Sequence, residues 1–198
     1  MMICIEGCIG IGKTTLAQKL SVDPGGYGIF EEYDNNPFLK DFYDNPDLFA
    51  FHVQTTFLCL QSKQFLKASS LAASNNVFVD FHPIKSQIFS GIVIKNKTEY
   101  DIIQRIYDRL FSSTGIKMLM VYLHAKPEII FERIRLRNDR FTPGISFPYI
   151  EQIVERYNLY FEKYKDPVLS IDMNDLDFVN SNDDWLFVKQ LITDKMKD

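Results

Sequence analysis

Residues Gly7-Cys8-Ile9-Gly10-Ile11-Gly12-Lys13-Thr14 follow the pattern GxxxxGK[ST], and Thr15 comes next. What flanks the pattern makes it informative. Met1–Ile5 is an unbroken apolar run, the mark of a strand buried on both faces. Lys13–Leu20 reads as a short helix, closed by Asp23-Pro24-Gly25-Gly26. A glycine-rich turn between such a strand and a helix start aims successive backbone N–H groups inward, where the helix dipole also favours an anion. The motif therefore predicts a bound nucleoside triphosphate, with the Lys13 ammonium reaching the β- and γ-phosphates and the Thr14 hydroxyl ligating Mg²⁺.

The remainder of the chain alternates in the same way. Strands are expected at 28–31, 77–79, 118–123 and 168–171. Helices are expected from Pro46 to about Ser70, at 127–137, 147–165 and 183–195. The reading is an α/β fold: a five-stranded parallel sheet wrapped by helices on both faces, in one domain over residues 1–198. In such sheets the ligand sits beyond the carboxyl ends of the strands. Hydrophobic residues make up 46% of 198 and the formal net charge is −4, so one core can form and a grip on a nucleic-acid polymer is not expected. The cysteines Cys4, Cys8 and Cys59 are odd in number and lack CxxC spacing, which argues against a disulfide framework or a zinc site. With the first apolar run stopping at Glu6, no membrane segment is expected, and the setting is read as cytoplasmic.

Three classes share a phosphate cradle: small-molecule kinases, GTPase switches and ATPases that do mechanical work. The GTPase signals are imitated but not met, since Asp23-Pro24-Gly25-Gly26 follows a helix and Asn96-Lys97-Thr98-Glu99 ends in Glu instead of Asp. A kinase needs a proton acceptor, cations for the transferring phosphoryl group and a pocket for the acceptor. Carboxylates stand at two strand ends, Glu31-Glu32 and Asp80. Gln54, Phe57, Leu58 and Gln61 fall at i, i+3, i+4 and i+7, so two amides and two apolar groups share one helix face. An amide carries both donor and acceptor and suits a nucleobase edge, although surface glutamines beside a core stripe give the same pattern. Arg133, Arg137 and Arg140 form a stripe at a helix end, either a lid over phosphates or a solvated basic face.

Ile5-Glu6-Gly7 through Thr15, then Glu31-Glu32-Tyr33-Asp34-Asn35-Asn36-Pro37-Phe38-Leu39, resembles the deoxynucleoside kinase family. The likeness continues through Asp41-Phe42-Tyr43 and Phe51-His52-Val53-Gln54-Thr55. It resumes at 121–123, 127–128, 133–137, 145–149 and 167–178, so it spans nearly the whole chain in order. The stretch from Glu31 to Leu39 is closer to the bacterial purine-type branch. The resemblance implies a phosphate-binding-loop kinase fold with an Arg-rich lid at about 133–144. It also implies transfer of the ATP γ-phosphoryl group, with Mg²⁺, to the 5′-hydroxyl of a deoxyribonucleoside, a purine one somewhat favoured. By position, Glu31 matches the glutamate that contacts the 5′-hydroxyl. Asp80 matches the acidic residue near Mg²⁺ and that hydroxyl, and either could be the base. Tyr43 matches the tyrosine on the 3′-hydroxyl, Gln54 the glutamine on the base edge and Phe89 the phenylalanine stacked on the base.

Four positions depart from the family pattern. Phe81 and His82 follow Asp80 where an Arg is usual, leaving His82 as the nearest candidate for part of that charge. Asp139 stands at the second lid arginine, which Arg140 could replace. Thr142 and Gln61 stand where many members carry Glu and Arg. The alternatives are a thymidylate-type nucleoside monophosphate kinase and a nucleotide-binding regulatory relative with little turnover. A monophosphate acceptor would call for an Arg near the second strand end, where Glu31-Glu32 stand instead. The helices after Pro46 and Thr98 are expected, by resemblance, to form a homodimer face.

Overall fold

Six consecutive buried residues, Met2–Gly7, form strand β1 at the centre of a five-stranded sheet. The computed structural model describes residues 1–111, 118–137 and 144–197. Strands β2 (Gly26–Ile29), β3 (Asn76–Val79), β4 (Met118–His124) and β5 (Val168–Asp172) join β1 in the order β2-β3-β1-β4-β5, and every pairing is parallel. Side chains alternate across β1 as a strand requires. Ile3 and Ile5 pack with Leu16, Ala17 and Leu20 of helix α1 (Lys13–Ser21) on one face. Met2 and Cys4 pack on the other with Leu58, Phe65 and Ala68 of α3 (Pro46–Leu71). The continuous apolar strands and the alternation with helices thus produce the expected α/β architecture, covered on both faces.

Helix α3 runs 26 residues because Pro46 starts it at a position that needs no N–H, and neither Gly nor Pro recurs before its end. Three helices stood outside the expected list or were only sketched: α2 (Leu39–Asp44), α4 (Ile84–Val93) and α5 (Lys97–Phe111). Helices α6 (Pro127–Arg137), α7 (Phe147–Glu162) and α8 (Asn182–Lys195) complete the set among the described residues. Ser181 caps α8, its hydroxyl accepting from the Asp184 N–H at 3.2 Å.

Elements β2 and α7 depart from expectation by more than one residue, each for a physical reason. Strand β2 lies two residues earlier than read, because the Asp80 carboxylate accepts the Glu31 N–H at 2.7 Å and draws the chain out of the ladder after Ile29. Helix α7 ends at Glu162 instead of 165. Its last turn tightens, Lys163 N–H bonding to Tyr160 O at 3.1 Å, and Pro167 then holds Asp166 away from helical geometry. Because all five strands are parallel, their carboxyl ends lie together, and the loop after β1 opens at that edge.

Candidate active site

The loop after β1 turns through glycines with positive φ, Gly7 at 151°, Gly10 at 80° and Gly12 at 107°. Two of these positions also lack room for a side chain. A Cβ at Gly7 would lie 2.4 Å from the Leu123 carbonyl oxygen, and one at Gly10 would lie 2.4 Å from Ile134 Cγ1. The loop is therefore pressed against β4 and α6, and its shape is set by both. Lys13 folds back over it, its ammonium donating to the carbonyls of Gly7 and Cys8 at 2.9 Å each. The Thr14 hydroxyl donates to Asp80 Oδ2 at 2.5 Å, joining the start of α1 to the end of β3.

A cleft of about 720 Å³ opens at this edge, a size suited to small-molecule ligands. Along one stretch it is lined by residues 9–15, α6 and residues 173–180. Along the other it is lined by Glu31, Tyr43, Gln54, Phe57, Gln61, Lys85 and Phe89, with Asp80 between. Of the expected helix face, Gln54, Phe57 and Gln61 reach the cleft, whereas Leu58 is turned into the core. Gln54 is buried, yet among the described residues nothing hydrogen-bonds its amide. Phe89 stands edge-on to Tyr157 at 6.5 Å between ring centroids.

Charge is concentrated at the strand ends. The Glu31 carboxylate takes a hydrogen bond from Gln61 Nε2 at 2.8 Å on one oxygen and an ion pair from Lys85 on the other. Burial pushes the Glu31 carboxyl up, but the Lys85 ammonium, the two hydrogen bonds and Lys13 outweigh it, so it lies below the ordinary range. Burial raises Asp80, only partly offset by its bonds from Thr14 and the Glu31 N–H. Lys85 pays for burial with a lowering that Glu31 and Glu6 reverse, leaving its ammonium held above the usual value. Lys13 is lowered by burial and by the charge of Lys85.

Several residues that build the candidate site were invisible to the motif reading. Lys85 lies five residues beyond Asp80, in the first turn of α4, a helix not anticipated from the sequence. Glu6 is fully buried and gathers three donors: the N–H of Gly7 at 2.8 Å, the N–H of His82 at 2.7 Å and the Tyr157 hydroxyl at 2.9 Å. A lone carboxylate inside an apolar strand run was the available signal for it. Gln64 fastens α3 to the end of β2, its amide donating to the Phe30 carbonyl at 2.5 Å.

Two expectations change. His82 cannot supply the missing positive charge: burial lowers it to about 4, and its Nδ1 accepts the Ile84 N–H at 3.2 Å, which requires the neutral ring. Arg133 lines the cleft, but its Nη2 donates to the carbonyls of Met173 and Leu176 at 2.8 and 2.9 Å. That nitrogen ties α6 to the segment after β5 instead of reaching for a phosphate. Arg137 lines the cleft, whereas Arg140, Asp139 and Thr142 lie outside the described residues.

The Thr14 hydroxyl and Asp80 carboxylate supply two converging hard oxygens, and among the described residues no cluster of three His, Cys, Asp or Glu forms a metal cage. That donor set fits Mg²⁺, which keeps several waters and takes much of its coordination from substrate phosphates. No helix among the described residues is long and apolar enough to cross a membrane.

A parallel sheet with a glycine loop between β1 and α1, opening on a carboxylate-lined cleft, defines a nucleotide-binding protein of the phosphate-binding-loop fold. The deoxyadenosine kinase of M. mycoides with bound dATP has the same fold, with a TM-score of 0.81 at 23% identity and all of both chains covered. The sequence model "Deoxynucleoside kinase" matches residues 3–196, and the chain belongs to that family. A deoxyguanosine kinase of Bacillus subtilis is 32% identical over 96% of this chain and 97% of its own length. A deoxyadenosine kinase of Dictyostelium discoideum is 29% identical over 87% of this chain and 72% of its own. Family membership makes the chain an enzyme of phosphoryl transfer, and neither the monophosphate kinase nor the regulatory alternative is favoured.

Proposed function

We propose that this chain transfers the γ-phosphoryl group of ATP to the 5′-hydroxyl of a purine deoxyribonucleoside. The observation that carries the reading is the single cleft in which the Lys13 loop faces the clamped Glu31 carboxylate, with Asp80 between them. Glu31 accepts the hydroxyl proton as the oxygen attacks the γ-phosphorus and the bond to ADP breaks. Residues 7–15 cradle the phosphates by backbone N–H groups, and Lys13 exchanges its carbonyl partners for phosphate oxygens. Thr14 and Asp80 would hold Mg²⁺, which when bound supplies charge neutralisation on the phosphates. Asp80 suits that duty because its Oδ2 already meets the Thr14 hydroxyl, which sets two hard oxygens side by side at the start of α1.

For the acceptor, the uncommitted Gln54 amide reads the base edge, Phe57 and Phe89 flank the ring and Tyr43 meets the sugar. Lys85, the cation beside Glu31, is paired with it and so is not available to a monophosphate acceptor. Arg137 lines the donor end of the cleft, and Arg133 positions the segment 173–180 that walls it. The purine preference rests on the named activities of the B. subtilis and Dictyostelium relatives. The chain works in the cytoplasm, as one domain, and pairs as a homodimer through α3 and α5; a solution mass of one chain overturns the pairing.

The test is product formation from Mg·ATP with each of the four deoxyribonucleosides and with deoxythymidine monophosphate, for wild type and Glu31→Gln. A purine nucleoside monophosphate as product, reduced about 100-fold or more in the variant, is expected. Phosphorylation of the monophosphate alone, or full activity in Glu31→Gln, refutes the reading.

A further inference from the structure

We infer that Lys85 and Gln61 are positioning residues for Glu31, a two-sided clamp that sets its carboxylate for the acceptor hydroxyl, and that Gln61 is thereby withdrawn from reading the base. The inference rests on Glu31 being the proton acceptor, as proposed above. Each Glu31 oxygen has its own partner, Oε1 the Gln61 amide and Oε2 the Lys85 ammonium. The two partners come from different helices, α3 and α4, so the packing of those helices decides where the carboxylate sits.

The amide orientation of Gln61 is fixed from behind. Ser86, beside Lys85 in the first turn of α4, donates its hydroxyl to Gln61 Oε1 at 2.9 Å. Turning the amide over would set its oxygen against the Glu31 carboxylate, which is repulsive. Gln61 thus spends its acceptor on Ser86 and a donor on Glu31, while Gln54, one face along the same helix, spends neither. The side chains of Lys85 and Glu31 are only 18% and 10% exposed, so solvent weakens the pair little. A flexible Glu held in a single rotamer before substrate arrives loses no orientational freedom at the moment of reaction. Lys85 also supplies a cation near the position where an Arg after Asp80 is absent, since Phe81 there is fully buried in the core.

The experiment measures kcat and nucleoside KM with Mg·ATP and deoxyguanosine for wild type, Glu31→Gln, Lys85→Met, Lys85→Arg, Gln61→Leu and the double variant Lys85→Met/Glu31→Gln. Lys85→Met is expected to lower kcat about 100-fold with KM changed less than about threefold, and Lys85→Arg to recover most of it. In the Glu31→Gln background Lys85→Met should cost less than about threefold more, because Lys85 acts through Glu31. Gln61→Leu should lower kcat about tenfold and leave the ranking of the four bases unchanged.

Lys85→Met at wild-type kcat, or a further loss of about tenfold in the double variant, overturns the clamp. A changed base ranking in Gln61→Leu overturns its withdrawal from base reading. Lys85→Met strands a buried carboxylate; if it does not fold, the double variant, which removes both charges, decides against Glu31→Gln alone. Wild type inactive on every nucleoside, or Glu31→Gln fully active, overturns the functional reading itself, and the clamp's purpose falls with it.

Discussion

Gly10→Ala tests how tightly the phosphate loop is moulded to α6. The backbone at Gly10 has φ 80°, so any Cβ there costs about 1–2 kcal/mol. That Cβ would also stand 2.4 Å from Cγ1 and 3.0 Å from Cδ1 of Ile134, a residue with 1% exposure. Since Cγ1 is the middle of a packed side chain, relief requires moving α6 or the loop, an overpacking cost of about 1–3 kcal/mol. The single variant is expected to lose about 2–5 kcal/mol in all. Ile134→Ala alone leaves a cavity and costs about 2–5 kcal/mol. Combined, the new methyl occupies space that Ile134 has vacated, so the double variant should lose about 1–3 kcal/mol less than the sum. Urea unfolding of the four proteins at 25 °C gives the coupling directly. Additivity within about 0.5 kcal/mol would show that the loop does not touch α6 as described.

Tyr157→Phe removes one of three donors to the buried Glu6 carboxylate and should destabilise the fold by about 1.5–3 kcal/mol in urea unfolding; a change below about 0.5 kcal/mol refutes the assigned bond. Burial pushes the Cys8 thiol up to about 12, so at pH 8 its thiolate is on the order of one part in 10,000. Cys4 is buried and raised further, and Cys59 is exposed. Titration of the native protein with a thiol reagent should therefore count one fast thiol, lost in Cys59→Ser, and three fast thiols would contradict the packing of the loop.

The parts of the site legible in the sequence were those with fixed spacing. The loop from Gly7 to Thr15 has a single workable geometry, and the apolar strands around it fix which edge of the sheet it opens on. Asp80 was legible for the same reason, as the first polar residue after a buried strand. Lys85 was not. Its role depends on α4 beginning at Ile84, and an apolar run such as Ile84–Val93 reads equally as strand or buried helix until its neighbours are placed. Gln54 and Gln61 share a helix face and a residue type, and periodicity treats them alike. Only the arrival of Ser86 and Glu31 from other parts of the chain separates the committed amide from the free one.

The same contrast explains how a site can lose a usual arginine and keep its electrostatics. Five ionisable groups, Glu6, Lys13, Glu31, Asp80 and Lys85, influence one another at the carboxyl ends of the strands. Burying three carboxylates together is unfavourable unless cations and N–H donors answer them. Glu6 is answered by two backbone N–H groups and a tyrosine, Asp80 by a hydroxyl and a backbone N–H, and Glu31 by an amide and a lysine. Among the described residues Lys13 has only carbonyl partners, the weakest to give up, and in the proposed reaction it is the one the incoming phosphates recruit. With Lys85 bound to Glu31, that cation is not drawn to the phosphates, and the carboxylate stays aimed while the donor binds. A cation anywhere within reach of Glu31 satisfies this requirement, so the position after Asp80 is free to become Phe81 and serve the core.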